Sequence, residues 1–257
     1  MESRMTQLIV DKLSVPAEIP LISRPRLFDK LTASLVSCNM TIINGRAGAG
    51  KTLLAADFAR RCGRKIVWYK VDASDNDPKV FADYLITAIR RQRPGFGAKW
   101  EKAYLQKLTA DDMANLALAM IYEFSEMAET PPFDDPLLIV IDDLHLIYDA
   151  EWVVPFFTRL APLLPADIHL MILGRILPPA PLWRMRSKQT LSVIDESTLT
   201  FTLEEAKQLL NNYGIGESWA TDFFQMSRGR AAKLVEISNA HRLSLCLCPT
   251  QPYATAL

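Results

Sequence analysis

A glycine-rich loop that ends in a lysine and a threonine carries the clearest chemical pattern in the 257-residue sequence. It is the run Gly45-Arg46-Ala47-Gly48-Ala49-Gly50-Lys51-Thr52. In this pattern the backbone N–H groups of the loop surround phosphates, the lysine reaches the β- and γ-phosphates, and the threonine hydroxyl ligates Mg²⁺. An apolar run precedes the loop and a helix-forming run follows it, as a phosphate site at a helix N-terminus requires. The loop therefore predicts a nucleoside triphosphate site rather than a chance match.

Two carboxylates follow a strongly apolar stretch further along the chain. The aliphatic run Leu137 to Ile141 is typical of a strand buried on both faces, and Asp142 and Asp143 come next. Open α/β sheets bind ligands at the carboxyl ends of their strands. Beside a phosphate loop, Asp142 is predicted to hold Mg²⁺ through water, and Asp143 to act as the base for an attacking water. A helix N-cap or a turn is the alternative interpretation of such a pair seen alone.

An arginine leaves the end of another strand pattern. The run Ile168 to Leu173 reads as a buried strand, and Gly174 and Arg175 follow it. At this edge of a sheet Arg175 could sense or stabilise the charge of the γ-phosphate, so it joins Lys51 and Asp143 as a candidate catalytic residue. A surface arginine is the competing interpretation of the local sequence.

The elements around these residues predict an α/β fold. Apolar strand-forming runs recur at 40–43, 66–71 and 190–194, in addition to the two strands described above. Helix-forming stretches lie between them. This alternation is typical of a three-layer P-loop NTPase with a mainly parallel central sheet.

After the last predicted strand the pattern becomes helical. Thr202 and Glu205 have the spacing of a capping box, which predicts the start of a helix. We predict an NTPase domain over 1–199 that begins with an extended arm, and a small helical lid over 200–240. Residues 241–257 are proline-interrupted and are predicted to be a poorly ordered tail.

The composition excludes several other classes of protein. Lys plus Arg and Asp plus Glu are equal at 29 each, so no overall charge draws the chain to nucleic acid or to an anionic membrane. The four cysteines form no Cys-x-x-Cys pair, and three histidines are too few to complete a zinc site. No apolar stretch reaches the length of a membrane span, and the N-terminus lacks the apolar core of a signal peptide. We therefore expect a cytoplasmic protein that binds neither nucleic acid nor membrane directly.

These stretches together resemble the nucleotide-binding domain of the large MalT-like regulators of the LuxR family, which belongs to the STAND class of P-loop ATPases. The matching motifs run in order through most of the chain, from about residue 8 to 237. They comprise Lys12-Leu13, Arg24 to Leu27, Gly45 to Thr52, Trp68, Asp75-Asn76-Asp77, Phe81, Ile141 to Ile147, Arg175, and Phe201-Thr202 with Glu204-Glu205.

The resemblance implies an ATP-binding, slowly hydrolysing switch domain of a signal-responsive transcriptional regulator. It implies ATP and Mg²⁺ as ligands, and ATP-dependent self-association. The arm before the loop would form the adenine side of the pocket, which places Arg24 among the nucleotide-binding residues; an arm that only packs on the core is the alternative. Family members continue into sensor repeats and a helix-turn-helix, so the sequence looks like the ATPase portion alone.

The sequence departs from the family pattern at two places. The Gly-Arg-Glu motif of the arm is represented by Ser23-Arg24-Pro25, which keeps only the arginine. The Gly-Trp of the lid is replaced by Gly229-Arg230, which leaves the packing there open.

Two other functions are compatible with the motifs. In a P-loop kinase for a small molecule, Arg184 and Arg186 would belong to an arginine-rich lid, although the doubled acid suits water better as the acceptor. An ATP-binding interaction module without turnover is the other alternative. The sequence contains neither the Asn-Lys-x-Asp of guanine-binding proteins nor the Leu-Ser-Gly-Gly-Gln of ABC cassettes.

Overall fold

A parallel sheet organises the part of the chain that the structure describes. The computed structural model describes residues 10–100, 108–128, 135–188 and 190–247. Its strands are β1 (Met40–Asn44), β2 (Lys65–Lys70), β3 (Leu137–Asp142), β4 (Ile168–Gly174) and β5 (Leu191–Ile194). They pair in the order β2-β3-β4-β1-β5, and every pair is parallel. The predicted α/β fold class and the five predicted strands are confirmed.

Helices connect the strands and continue beyond the last of them. They are α1 (Pro25–Ser37), α2 (Lys51–Arg61), α3 (Pro78–Arg90), α4 (Met113–Ala128), α5 (Val153–Leu160), α6 (Ala180–Trp183), α7 (Glu196–Leu199), α8 (Leu203–Asn212), α9 (Glu217–Ser227) and α10 (Ala231–Leu247). Short 3-10 turns follow two strands closely, at Ala73–Asn76 after β2 and Leu144–Ile147 after β3. None of the helices in the described ranges is long and apolar enough to cross a membrane.

Apolar side chains fill both faces of the sheet. Along β1, Ile42 belongs to one apolar cluster and Ile43 to the other, because successive side chains of a strand point to opposite faces. Leu27 of α1 and Phe58 of α2 pack on the Ile43 face, while α3, α4 and α5 cover the Ile42 face. All six residues of β3 are buried, as a central parallel strand with helices on both sides requires.

Three helices, α8 to α10, pack together beyond the sheet, and we call them the lid. The predicted capping box is present: the Glu205 N–H donates to the Thr202 hydroxyl at 3.2 Å, and the Thr202 N–H donates to the Glu205 carboxylate at 3.0 Å. The apolar cluster of the lid includes Phe201, Leu209, Leu210, Phe223 and Leu234. Helix α10 extends to Leu247, across the boundary predicted at residue 240, and residues 248–257 lie outside the described part of the chain.

A buried ion pair fastens the N-terminal segment to the sheet. Lys12 Nζ donates to both carboxylate oxygens of Asp75, at 2.9 and 3.1 Å, and lies 2.7 Å from Asp72 Oδ2. The Asp75 side chain is fully buried and that of Lys12 is nearly so. Without Asp75 the buried Lys12 charge would keep only the half-exposed Asp72 as a partner.

Replacing Asp75 with asparagine is expected to lower the free energy of unfolding by about 3 kcal/mol, because the Lys12 charge loses its fully buried partner. Asp83→Asn is the matched control, since the pair of Asp83 with Lys79 is partly exposed and should contribute less than about 0.5 kcal/mol. Urea denaturation of both variants measures the difference. Equal losses would contradict a stabilising role of the buried pair.

A second buried polar group lies at the start of β4, at the amino end of the sheet. His169 Nδ1 lies 3.0 Å from the Cys38 carbonyl oxygen, and Nε2 lies 2.9 Å from Thr41 Oγ1. Burial, together with the nearby Arg64 charge, lowers the pKa of His169 to about 4. The imidazole is therefore neutral at physiological pH, with one nitrogen as donor and the other as acceptor.

The lowered pKa of His169 predicts a loss of stability in mild acid. The unfolded chain, with a histidine pKa of about 6.5, takes up the proton first, so stability falls as the pH drops from about 6.5 towards 4 and is constant below that. Between about pH 7 and pH 5 the wild type should lose about 2 kcal/mol more than His169→Gln. Urea denaturation at both pH values measures this difference, and parallel losses would show that His169 does not titrate as described.

Candidate functional site

The glycine-rich loop joins β1 to α2 and has its lysine folded inward. Helix α2 begins at Lys51, directly after Gly50, which has a left-handed backbone with φ 85°. Lys51 is 7% exposed, and its Nζ donates to the carbonyls of Gly45 at 2.6 Å and Arg46 at 3.2 Å. Burial lowers the pKa of Lys51, although the Asp143 carboxylate raises it. Anionic phosphate oxygens would be stronger partners for this ammonium group than the two carbonyls.

A hydroxyl and a carboxylate meet beside the lysine. Thr52 Oγ1 donates to Asp142 Oδ2 at 3.0 Å and lies 3.3 Å from Oδ1. Asp142 is the last residue of β3, and burial, together with the neighbouring Asp143 charge, raises its pKa to about 6. A bound cation would stabilise the buried carboxylate, and hydroxyl and carboxylate oxygens are ligands that Mg²⁺ prefers. These two residues therefore fit a magnesium site.

The second acid has an uncommon backbone conformation. Asp143 lies in the left-handed region at φ 59° and ψ 26°, which non-glycine residues adopt rarely. Asp143 occupies the N-cap position of the following 3-10 turn, as the turn alternative expects, but within the described residues its side chain accepts no hydrogen bond from a backbone N–H group of that turn. Asp143 Oδ1 lies 3.7 Å from Arg175 Nε and 3.7 Å from His145 Nδ1. The predicted base and the predicted sensor arginine are thus neighbours, next to a histidine to which the sequence pattern assigned no role.

An open cleft at the carboxyl edge of the sheet connects these groups. Its walls include Ala47, Gly48, Gly50, Lys51, Thr52, Asp143 and Arg175. Arg175 lines this cleft, and about half of its side chain is exposed, so both the functional and the surface interpretation stay open. Lys70 and Glu18 also line the cleft and were missed. Lys70 ends β2 in register with Asp142, so the strand-end rule could have found it, whereas Glu18 in the arm carries no such signal.

The arm and the lid enclose an apolar cavity next to the glycine-rich loop. Ile22 of the arm, Leu53 of α2, and Phe201 and Val235 from the lid side line it, and Gly50 forms its border with the loop. An apolar cavity that adjoins a phosphate cleft is suited to the base of a nucleotide.

Arg24 lies in the wall of this cavity and also ties the arm to the lid. Its Nη2 donates to the Leu199 carbonyl at 2.6 Å and to Glu205 Oε2 at 3.2 Å, and its guanidinium lies over the Phe201 ring. Arg24 Nε is buried and has no hydrogen-bond partner among the described residues. Arg24 is among the residues that line the apolar cavity and is not among those that line the phosphate cleft.

Comparison with known proteins agrees with this geometry. The chain is 36% identical over 208 residues to the HTH-type transcriptional regulator MalT of Serratia proteamaculans. The matched segment covers 79% of this chain and 22% of that protein. The HTH-type transcriptional regulator MalT of Yersinia enterocolitica is 35% identical over 207 residues, and this match also covers 79% of this chain and 22% of that protein. A STAND protein with a tetratricopeptide repeat sensor from Pyrococcus horikoshii superposes with a TM-score of 0.58 at 19% identity, over 82% of this chain and 28% of that one.

The chain contains a MalT-like P-loop domain. The family expected from the sequence motifs is therefore confirmed. The chain spans 22% of the length of the two MalT relatives. It matches no protein-family model.

In this MalT-like domain the lid lies directly against the outer side of the glycine-rich loop. The Ala232 N–H donates to the Gly48 carbonyl at 3.0 Å, and Arg230 Nη2 donates to the Ala47 carbonyl at 3.2 Å. Gly48 has φ 76°, and a Cβ built there would lie 2.6 Å from the Ala232 Cβ. Glycine at position 48 therefore permits both the turn of the loop and the close approach of α10.

The Gly229-Arg230 pair, which departs from the Gly-Trp of the family, is well accommodated. Gly229 has φ 68°, and a Cβ there would lie 2.7 Å from the Phe201 carbonyl oxygen. The Phe201 N–H donates to the Gly229 carbonyl at 2.9 Å. The close approach of the Phe201 backbone requires glycine at position 229. Arg230 donates a hydrogen bond to the glycine-rich loop.

Arg46 is paired with an acid from the segment that leads to the lid. Its Nε lies 2.8 Å from Glu196 Oε1, and its backbone N–H donates to Glu196 Oε2 at 3.0 Å. Glu196 opens α7, directly after β5. The pair is largely exposed and therefore contributes little to the free energy of folding. However, the Glu196 carboxylate occupies the backbone N–H of Arg46, and the loop motif predicted this N–H group to bind phosphate.

Proposed function

We propose that this domain binds ATP with Mg²⁺ and hydrolyses it slowly, as the regulatory switch of a signal-responsive transcriptional regulator. One observation carries the proposal: buried Lys51, the Thr52–Asp142 pair and the Asp143–Arg175 pair meet at the carboxyl edge of one parallel sheet. Phosphoryl transfer to water requires a cation for the phosphates, oxygen ligands for a metal, a base for the water and a group that offsets the γ-phosphate charge. These residues would supply all four.

The phosphates would lie in the cleft and the base in the apolar cavity. Lys51 would exchange its two loop carbonyls for phosphate oxygens, and Thr52 and Asp142 would hold Mg²⁺, which neutralises phosphate charge when bound. Phe201 and the other apolar residues of the cavity would exclude water from the base. Arg24, in the wall of the cavity, would lie beside the adenine.

Hydrolysis would proceed by positioning and electrostatics. Asp143 would orient the attacking water and accept one of its protons. The bond between the γ-phosphorus and the bridging oxygen breaks, and ADP and phosphate leave. Arg175, already beside Asp143, would turn to the γ-phosphate and offset its charge.

The lid would couple the state of the nucleotide to the rest of a regulator. Helix α10 contacts the loop carbonyls directly, and Glu196 contacts Arg46, so a shift of the loop on loss of the γ-phosphate would be felt by the lid. A ligand shifts such an equilibrium only through its different affinity for the two arrangements, which the γ-phosphate can provide.

Phosphate release from ATP by the domain alone tests this function against its alternatives. We expect release without any added acceptor, because Asp143 would orient water as the acceptor. A small-molecule kinase would transfer the γ-phosphoryl group to its acceptor, so it would form ADP only when the acceptor is present and would release no free phosphate. An interaction module would bind ATP and release none.

The relatives are named as HTH-type transcriptional regulators, which supports a role in transcription for the protein that contains this domain. We propose that ATP favours its self-association and ADP does not, and that this chain contacts no nucleic acid itself. Light scattering in either nucleotide tests the first statement. An equal mass with ATP and with ADP would contradict the proposal that the nucleotide controls self-association.

A further inference from the structure

One wall of the apolar cavity next to the glycine-rich loop carries a carboxylate. Asp57 is the only acid among the described residues that line this cavity. It shares with Leu53 and Leu54 the face of α2 that forms the wall, since residues three and four positions apart lie on one face of a helix. The Asp57 side chain is 18% exposed, so most of it is withdrawn from water.

Only one oxygen of this carboxylate is hydrogen-bonded to the described part of the chain. Asp57 Oδ2 accepts from Arg61 Nη2, one turn further along α2. Arg61 is itself held in place, because its guanidinium lies over the Phe28 ring and its Nη1 donates to Ser23 Oγ at 3.4 Å. Asp57 Oδ1 accepts no hydrogen bond from a described residue. A mostly buried acceptor is costly without a donor, so Oδ1 is suited to a donor that a ligand supplies.

The position of Asp57 along α2 matches the far end of a bound base. The phosphates are proposed to lie at Lys51, and Asp57 lies about 9 Å further along the helix axis. A base that extends into the cavity with its sugar towards the phosphates would turn position 6 of the purine ring away from them. In adenine this position carries an amino group, which donates hydrogen bonds. In guanine and hypoxanthine it carries an oxygen, which only accepts them.

We propose that Asp57 determines the preference of the site for adenine, because its Oδ1 accepts a hydrogen bond from the 6-amino group and repels a 6-oxygen. The inference rests on the proposed binding of ATP. Arg61 acts through Asp57, whose carboxylate it orients. A site built to bond an N–H group rejects an analogue that lacks it, since the acceptor of the protein is then left without a partner.

Titration calorimetry with Mg²⁺ and three triphosphates tests the proposal. They are ATP, inosine triphosphate with an oxygen at position 6, and purine riboside triphosphate with only hydrogen there. The wild type should bind ATP at least about 10-fold more tightly than either analogue, which is the effect of one hydrogen bond to a charged group. Asp57→Leu should weaken ATP at least about 10-fold and should not weaken the purine analogue, because that analogue makes no bond that the variant could lose.

Asp57→Asn should change the preference without removing the polar group. Its amide can turn an oxygen to the amino group of adenine or an N–H to the oxygen of hypoxanthine. We expect the affinity for ATP to stay within about threefold, and that for inosine triphosphate to rise about fivefold. A gain of affinity cannot come from a damaged fold. Asp29→Asn is the matched control, because Asp29 is an exposed acid of α1, and it should leave all three affinities unchanged.

Equal wild-type affinities for the three triphosphates would overturn the role of Asp57. An equal loss of affinity for ATP and for the purine analogue in Asp57→Leu would also overturn it, since the residue would then only support the fold. If Asp57→Leu does not fold, an unchanged affinity of Asp57→Asn for inosine triphosphate would overturn it. A wild type that binds none of the three would overturn the proposed function as well.

Discussion

Replacing Lys51 with alanine is expected to abolish measurable binding of ATP in the presence of Mg²⁺. Lys51 is buried in the loop, and its Nζ is within reach of the positions that phosphates take in such a cradle. Truncating one partner of a desolvated charge pair costs about 2–5 kcal/mol, so the Kd should rise by at least about 30-fold. Isothermal titration calorimetry with ATP measures the change.

Lys65→Ala is the control for Lys51→Ala, because it removes a lysine from the amino end of β2, at the far edge of the sheet. Lys65 is exposed, and its Nζ lies 3.6 Å from an exposed Asp135. The ATP affinity of this variant should equal that of the wild type. Normal ATP binding by Lys51→Ala would contradict the assignment of the loop as a phosphate site.

Asp143→Asn should separate binding from turnover. Asparagine tolerates the left-handed backbone of Asp143 as aspartate does, so the turn should keep its shape. The amide cannot accept the proton of the attacking water, and loss of a general base lowers kcat by about 100-fold or more. Affinity for ATP should stay within about twofold, because the nucleotide contacts are proposed to come from other groups. Titration calorimetry and phosphate release give the two quantities.

Asp111→Asn is the control for Asp143→Asn, since Asp111 is an exposed acid in a surface turn. Its turnover should match that of the wild type. A normal kcat in Asp143→Asn would remove Asp143 from the reaction and leave the water to be oriented by another group.

The parts of the fold that local sequence encodes were predictable. The aliphatic run before Asp142 requires a strand covered on both faces, and β3 is buried throughout. The spacing of Thr202 and Glu205 is sufficient for a capping box, because both hydrogen bonds form within one helical turn. The glycine-rich loop likewise combines turn, helix start and lysine within eight residues.

Contacts between distant segments could not be predicted in this way. Arg24 pairs with Glu205 and Arg46 pairs with Glu196, and each pair joins residues more than a hundred positions apart. The contact of Ala232 with Gly48 depends on how the lid packs, which no local pattern contains. His145 is visible in the sequence, but its burial and the left-handed turn that places it beside Asp143 are properties of the packed structure.

Amide hydrogen exchange at the start of α10 tests the proposed switch most directly. The Ala232 N–H donates to the Gly48 carbonyl, so its exchange reports whether the lid is docked on the loop. With a non-hydrolysable ATP analogue and Mg²⁺, residues 231–235 should exchange at least about 10-fold more slowly than with ADP, because the γ-phosphate holds loop and lid together. Equal exchange with both bound nucleotides would contradict the switch.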